Sequence, residues 1–201
     1  MNEIFQRGGP IMWPLLVTSI LTIAVVFDRL WFYLMYKRTN SPKDYYELIS
    51  KVEKGDLSPG SHFEKSQNYI VRVLANGLKY RKESLTSALI SQAKIELKNF
   101  ERGLGVLDTT ITLAPLLGLL GTVTGMIRSF SLLGDQQLGA PTQITGGIAE
   151  ALIATAFGLT IAIIALVPFN FFSSLAEKAR SEIEEAATKL EILLKEFPKA
   201  N

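Results

Sequence analysis

Three stretches without a single Asp, Glu, Lys or Arg limit what this chain can fold into. They are 8–27, 20 residues between Arg7 and Asp28; 109–127, 19 residues between Asp108 and Arg128; and 151–176, 26 residues between Glu150 and Glu177. An α-helix rises about 1.5 Å per residue and the hydrocarbon layer is about 30 Å thick, so roughly 20 apolar residues cross it. All three stretches qualify. Helices of a soluble bundle rarely stay uncharged for so long, because one face of each meets water. The sequence therefore predicts an all-α membrane protein with three transmembrane helices.

The basic residues predict its orientation. Between the first two spans, from Lys37 to Arg102, there are 13 Lys and Arg, and the tail after the third span adds Lys178, Arg180, Lys189, Lys195 and Lys199. The segment from Ser129 to Ala149 has none and the N-terminus has only Arg7. The positive-inside rule places the N-terminus and the short second loop outside, and the long first loop and the C-terminus in the cytoplasm. A net charge of +2, with basic residues interleaved among acidic ones, gives no footprint for nucleic acid. The first span has no small-x-small cleavage site and runs into Trp31, Phe32 and Tyr33, which read as an interfacial belt with Trp13 at the other end, so it is expected to be retained. Without cysteine and with one histidine, His62, in a polar loop context, the chain offers no disulfide, thiolate chemistry or histidine-based metal site.

Beyond the first span, Ser41 suits an N-cap, Pro42 the first helical position and Asp44 the first turn of a short helix reaching about Lys54. A turn cluster from Gly55 to Gly60 follows, and then a helix from about His62 to Tyr80. Leu85, Leu89, Ala93, Leu97, Phe100 and Leu104 recur three or four apart, one apolar stripe leading into the second span. Leu175, Ala179, Ile183, Ala186, Leu190, Leu194 and Phe197 form a matching stripe continuing the third. Spans two and three are thus expected to extend as long cytoplasmic helices, packed side by side and antiparallel. The expected segments are the first span in 1–37, a cytoplasmic helical loop in 38–84, a helix running into the second span over 85–133, an outer loop over 134–143, the third span in 144–176 and a cytoplasmic helix over 177–201.

Templates of soluble enzymes find no counterpart: there is no phosphate-binding glycine loop with its lysine, no serine paired with histidine, and no second carboxylate near Glu150 in sequence. No catalytic residue, metal or cofactor is expected. What remains is the interior of spans two and three. Gly118, Gly121 and Gly125 share one helix face, as do Gly147, Ala151, Ala154, Gly158, Ala162 and Ala165. Such stripes let backbones approach closely in lipid.

The threonines and one acid add polarity. Centring span two on Gly118 puts Thr122 about 6 Å outward, and centring span three on Thr160 puts Thr155 about 7.5 Å outward, so the two hydroxyls fall at nearly one depth. A lone threonine can bond a carbonyl one turn back, but two at one level beside glycine faces suggest a polar lining. Glu150 is the one carboxylate within reach of the interior. It is a candidate proton acceptor if span three starts near Ile144, and an interfacial anchor if the span starts at Glu150 itself.

Ala114-Pro115-Leu116-Leu117-Gly118-Leu119-Leu120-Gly121-Thr122-Val123-Thr124-Gly125-Met126-Ile127, then Gly147-Ile148-Ala149-Glu150-Ala151-Leu152-Ile153-Ala154-Thr155-Ala156-Phe157-Gly158-Leu159, resembles the ExbB/TolQ family, distant kin of the flagellar stator subunit MotA. Gly8-Gly9-Pro10, Trp13-Pro14 and Asp28-Arg29 look like that family's first span. The resemblance implies a homo-oligomeric ring, expected to be a pentamer, in the bacterial inner membrane. The ring would surround two copies of a single-span ExbD/TolR-like partner that supplies an aspartate inside the pore. It also implies a TonB- or TolA-like transducer and work at the outer membrane driven by proton flow. Thr122, Thr155 and Glu150 match the family's pore positions. Three spans and a short chain depart from the MotA pattern, so a flagellar stator is not expected; nor is the long N-terminal extension of some ExbB proteins, and the expectation covers ExbB and TolQ roles alike. The competing expectation is a non-conducting scaffold acting through its cytoplasmic helices. An intramembrane hydrolase would need a nucleophile–base pair that this sequence lacks.

Overall fold

The protein is described by a computed structural model over residues 8–39, 42–134 and 140–196. The helices are α1 (Met12–Thr39), α2 (Lys43–Glu53), α3 (Ser61–Glu64), α4 (Tyr69–Lys79), α5 (Arg81–Glu101), α6 (Leu104–Gly134) and α7 (Ala140–Glu196), and no strand occurs among the described residues. α1, α6 and α7 carry the three apolar stretches, and each is long and apolar enough to cross a membrane. Pro14 lies in the first turn of α1, where a missing N–H leaves no intrahelical bond unmade. Pro115 and Pro168 lie inside α6 and α7. Helices in lipid tolerate this because neighbouring groups and small local adjustments satisfy the freed carbonyls.

Two compact units divide the chain: Met1–Arg29 with Gly103–Phe171, and Leu30–Arg102 with Phe172–Asn201. In the first, Met12 and Leu15 of α1 pack against Ala114 of α6 and Ile161 and Ala162 of α7. A buried polar pair also ties α1 to α6: Thr22 Oγ1 and Thr110 Oγ1 are 3.3 Å apart.

In the second unit, Leu48, Ile49 and Val52 of α2, Phe63 of α3, and Val71, Leu74 and Leu78 of α4 close over Leu89, Leu97 and Phe100 of α5 and Ala179, Ile183 and Leu190 of α7. Arg180 Nη2 donates to Glu101 at 3.0 Å, and Thr86 Oγ1 donates to Glu191 at 3.3 Å, so α5 and α7 run antiparallel. The stripes that predicted these helices supply the shared core, while Leu85, Ala93, Leu175 and Leu194 are partly buried at its edge. Phe197 lies outside the described residues.

Several local expectations change. The single helix expected over 62–80 is two, α3 and α4, because the Asn68 side chain caps α4 by accepting from the N–H groups of Ile70 and Val71. The stripe through α5 does not run unbroken into the second span: Arg102 has extended backbone and Gly103 has φ +78°, ending one helix before the next begins. Of the aromatic run, Trp31 is exposed, whereas Phe32 meets Phe100 edge to face at 5.3 Å within the second unit. Helix α6 extends to Gly134 and α7 starts at Ala140, so helix occupies both ends of the loop expected over 134–143, while 135–139 lie outside the described residues. The Ser41 cap lies outside them too. His62 is exposed, as expected, but lies in the short helix α3 rather than in a loop.

Two polar contacts fasten the second unit. The Tyr69 hydroxyl donates to Glu182, and burial, followed by that hydrogen bond, holds the phenol neutral well above its usual range. The stability this contributes is complete below the ordinary tyrosine pKa of about 10 and declines as pH rises beyond it. Arg72 grips Glu96 with Nε and Nη2 and donates from Nη1 to the Ser66 carbonyl, while Gln92 also donates to Glu96. The Glu96 side chain is only 5% exposed. Removing one partner of a buried pair strands the other charge, so Arg72→Ala is expected to cost about 3 kcal/mol. It should lower the thermal midpoint by several degrees, whereas Lys178→Ala, which disturbs an exposed pair, should not.

Candidate functional site

Helices α6 and α7 approach each other along their small residues. A Cβ added at Gly118 would lie 2.9 Å from Thr155 Cα, one at Gly121 2.6 Å from Ala154 Cβ, and one at Gly125 2.9 Å from Ala151 Cβ. One at Gly158 would lie 2.4 Å from the Ala114 carbonyl oxygen, and one at Gly147 2.1 Å from Ser129 Oγ. At Gly118, Gly121, Gly125 and Gly158 the obstacle is backbone or an alanine Cβ that cannot rotate aside, so bare backbone there sets the spacing of the pair, while at Gly147 it is a side-chain hydroxyl. Ala151, Ala154, Ala162 and Ala165 are buried on the same side of α7.

The polar groups sit within this seam or at its edge. Thr155 Oγ1 reaches across to donate to the Gly118 carbonyl at 2.9 Å. Thr122 Oγ1 instead donates at 2.7 Å to Leu119 O on its own helix, the back-bond open to any helical threonine. Both are half-buried. Thr155 lies at the level of Gly118, four residues before Thr122, so the two hydroxyls stand about one helical turn apart along the pair rather than at one depth. In each, the proton goes to a carbonyl and oxygen lone pairs remain to accept from water.

Glu150 lies ten residues into α7, with the Arg128 guanidinium of α6 3.5 Å away. The carboxylate side chain is 23% exposed and the arginine 61%. The same carboxylate lies over Gly9, just before α1: a Cβ there would fall 1.8 Å from Glu150 Oε1. Groups from all three spans therefore meet at Glu150. Among the described residues no cluster of His, Cys, Asp and Glu could hold a metal ion.

Sequence reasoning passed over three features of this unit. Ser129 is 1% exposed and donates to Gly125 O at 2.9 Å beneath Gly147. Lying just past Arg128, it reads as loop, yet it falls four residues after Gly125 on the glycine face, and that spacing is the signal for it. The Thr22–Thr110 pair has a weaker signal, the Thr18 and Thr22 spacing on α1. Arg29, named with Asp28 only as part of the first-span resemblance and given no contact there, is 2% exposed, with Nε and Nη2 donating to Asp28 at 3.1 and 2.7 Å.

The chain as a whole is similar to known proteins. The profile of the MotA/TolQ/ExbB proton channel family matches residues 65–185. An ExbB-like biopolymer transport protein of Synechocystis sp. is 37% identical over 96% of this chain and 78% of its own length. The biopolymer transport protein ExbB of Salmonella typhimurium is 26% identical over 91% of this chain and 80% of its own. The Tol-Pal system protein TolQ of Pseudomonas aeruginosa is 39% identical over 47% of this chain and 41% of its own.

Proposed function

That this chain belongs to the MotA/TolQ/ExbB proton channel family is the premise from which we propose its role: a ring-forming subunit of an inner-membrane proton channel. It is a multi-pass membrane protein of a transport family. In the proposed assembly several copies, five by the family resemblance, enclose a single-span ExbD/TolR-like partner. The N-terminus faces the periplasm, and the α2–α5 region and the C-terminus lie in the cytoplasm. The work delivered is outer-membrane transport of the TonB type or envelope maintenance of the Tol type.

The observation that carries this reading is the α6–α7 seam, where Thr122, Thr155 and Glu150 place polar atoms on a pair of helices otherwise free of charge over membrane-spanning length. An intact helix offers a proton no backbone group, because its carbonyls and N–H groups are already paired. Hydroxyls that retain lone pairs can hold water, and rings of them from several copies can flank a partner carboxylate. One charge crossing 100 mV releases about 2.3 kcal/mol, enough to bias a rotation or a tilt. Three helices leave no central lumen, so several copies are required. Large apolar side chains exposed on the spans, among them Leu116, Ile127, Phe130, Leu152 and Val167, are surface for lipid and neighbouring copies to cover.

The test is reconstitution into vesicles carrying an imposed potential. The chain purified with its single-span partner should pass protons, and the chain alone should not. A complex that passes none, in cells whose function depends on 177–201 and not on the seam, would instead favour a non-conducting scaffold.

A further inference from the structure

We propose that Gly9 is a positioning residue whose bare backbone seats the Glu150 carboxylate opposite Arg128. The inference rests on the reading of Glu150 as a proton-pathway group. A Cβ on Gly9 would lie 1.8 Å from Glu150 Oε1, 2.8 Å from its Cδ and 3.2 Å from its Cγ, so the end of the glutamate lies directly over the Gly9 Cα. Gly9 also has φ +70°, a conformation that side-chain-bearing residues rarely adopt. Another residue there is disfavoured by its own backbone, and its Cβ would push the flexible end of the glutamate aside.

The turn is fixed by the start of α1. The Gly9 carbonyl accepts from Met12 N at 3.1 Å and the Pro10 carbonyl from Trp13 N at 3.3 Å, while Pro10 brings no N–H of its own. Arg128 Nη1 stands 3.5 Å from the same Oε1, so the carboxylate is bounded by backbone from α1 and by a guanidinium from α6. A glutamate side chain has several rotamers, and a proton relay needs one. The first span thereby does more than anchor the chain, because its head fixes where the acid of the third span points.

The experiment uses the full chain with its partner in vesicles and in detergent. Gly9→Ala should assemble and lose roughly tenfold or more of proton flux, approaching Glu150→Gln. Glu150→Asp withdraws the acid from the new methyl, so Gly9→Ala with Glu150→Asp should conduct better than Gly9→Ala alone. A readout independent of flux is the thermal midpoint. Gly9→Ala should lower it by several degrees in the parent and by clearly less in a Glu150→Ala background, where only backbone strain remains. Equal drops in both backgrounds, or unchanged flux in Gly9→Ala while Glu150→Gln is silent, would overturn the seat. Full flux in Glu150→Gln would sink the proton-pathway reading of the acid, and the coupling of midpoints would still decide the contact.

Discussion

Gly158→Leu is expected to abolish the folded α6–α7 pair. A side chain there starts from a Cβ 2.4 Å from the Ala114 carbonyl oxygen and 3.2 Å from Gly118 Cα. Both obstacles are backbone atoms of the facing helix, and neither can rotate aside. Overpacking a core costs about 1–3 kcal/mol when side chains can shift, and more is expected where they cannot. Separating the helices would also forfeit the approaches at Gly118, Gly121 and Gly125, and in lipid such van der Waals contact is a main source of helix association. The measurement is the yield of monodisperse protein and its thermal midpoint. Ala156→Leu, at an exposed position on the same helix, should change neither.

Thr155→Val and Glu150→Gln are expected to reduce proton-dependent work to background while the complex still assembles. Valine matches threonine in shape and removes the hydroxyl that donates to Gly118 O. Interhelical hydrogen bonds in membranes average only about 0.6 kcal/mol, too little to unfold the seam. A silent, assembled Thr155→Val complex therefore reports a role in conduction. Glutamine keeps the size of Glu150 but neither binds nor releases a proton at neutral pH. Thr122→Val is the informative companion: its hydroxyl donates within its own helix, so an effect on flux cannot be assigned to a lost bond across the seam. Flux and assembly should be read on the same preparations.

The spans were legible because charge is expensive in hydrocarbon, while a helix that meets water seldom goes about 20 residues without it. Glycine spacing likewise disclosed which faces of α6 and α7 are small. Spacing cannot disclose which residue meets which, since the register that pairs Gly118 with Thr155 and Gly125 with Ala151 depends on how the two helices turn against each other and against α1. The cap at Asn68 was hidden because an asparagine inside an apolar-periodic run looks like a tolerated helix residue until its side chain is seen taking two N–H groups. Gly103 was hidden for a similar reason: the stripe continues through Leu104, and only the positive φ reveals the break. Arg72 with Glu96, and Gly9 with Glu150, are long-range pairings that no local pattern encodes.

The most direct measurement is the structure of the complete assembly in a bilayer mimetic, solved with its single-span partner present. Several copies of the chain are expected around a shared, water-accessible axis, with Thr122, Thr155 and Glu150 of each copy turned toward it. Those hydroxyls facing lipid, or a single copy that conducts by itself, would contradict that arrangement.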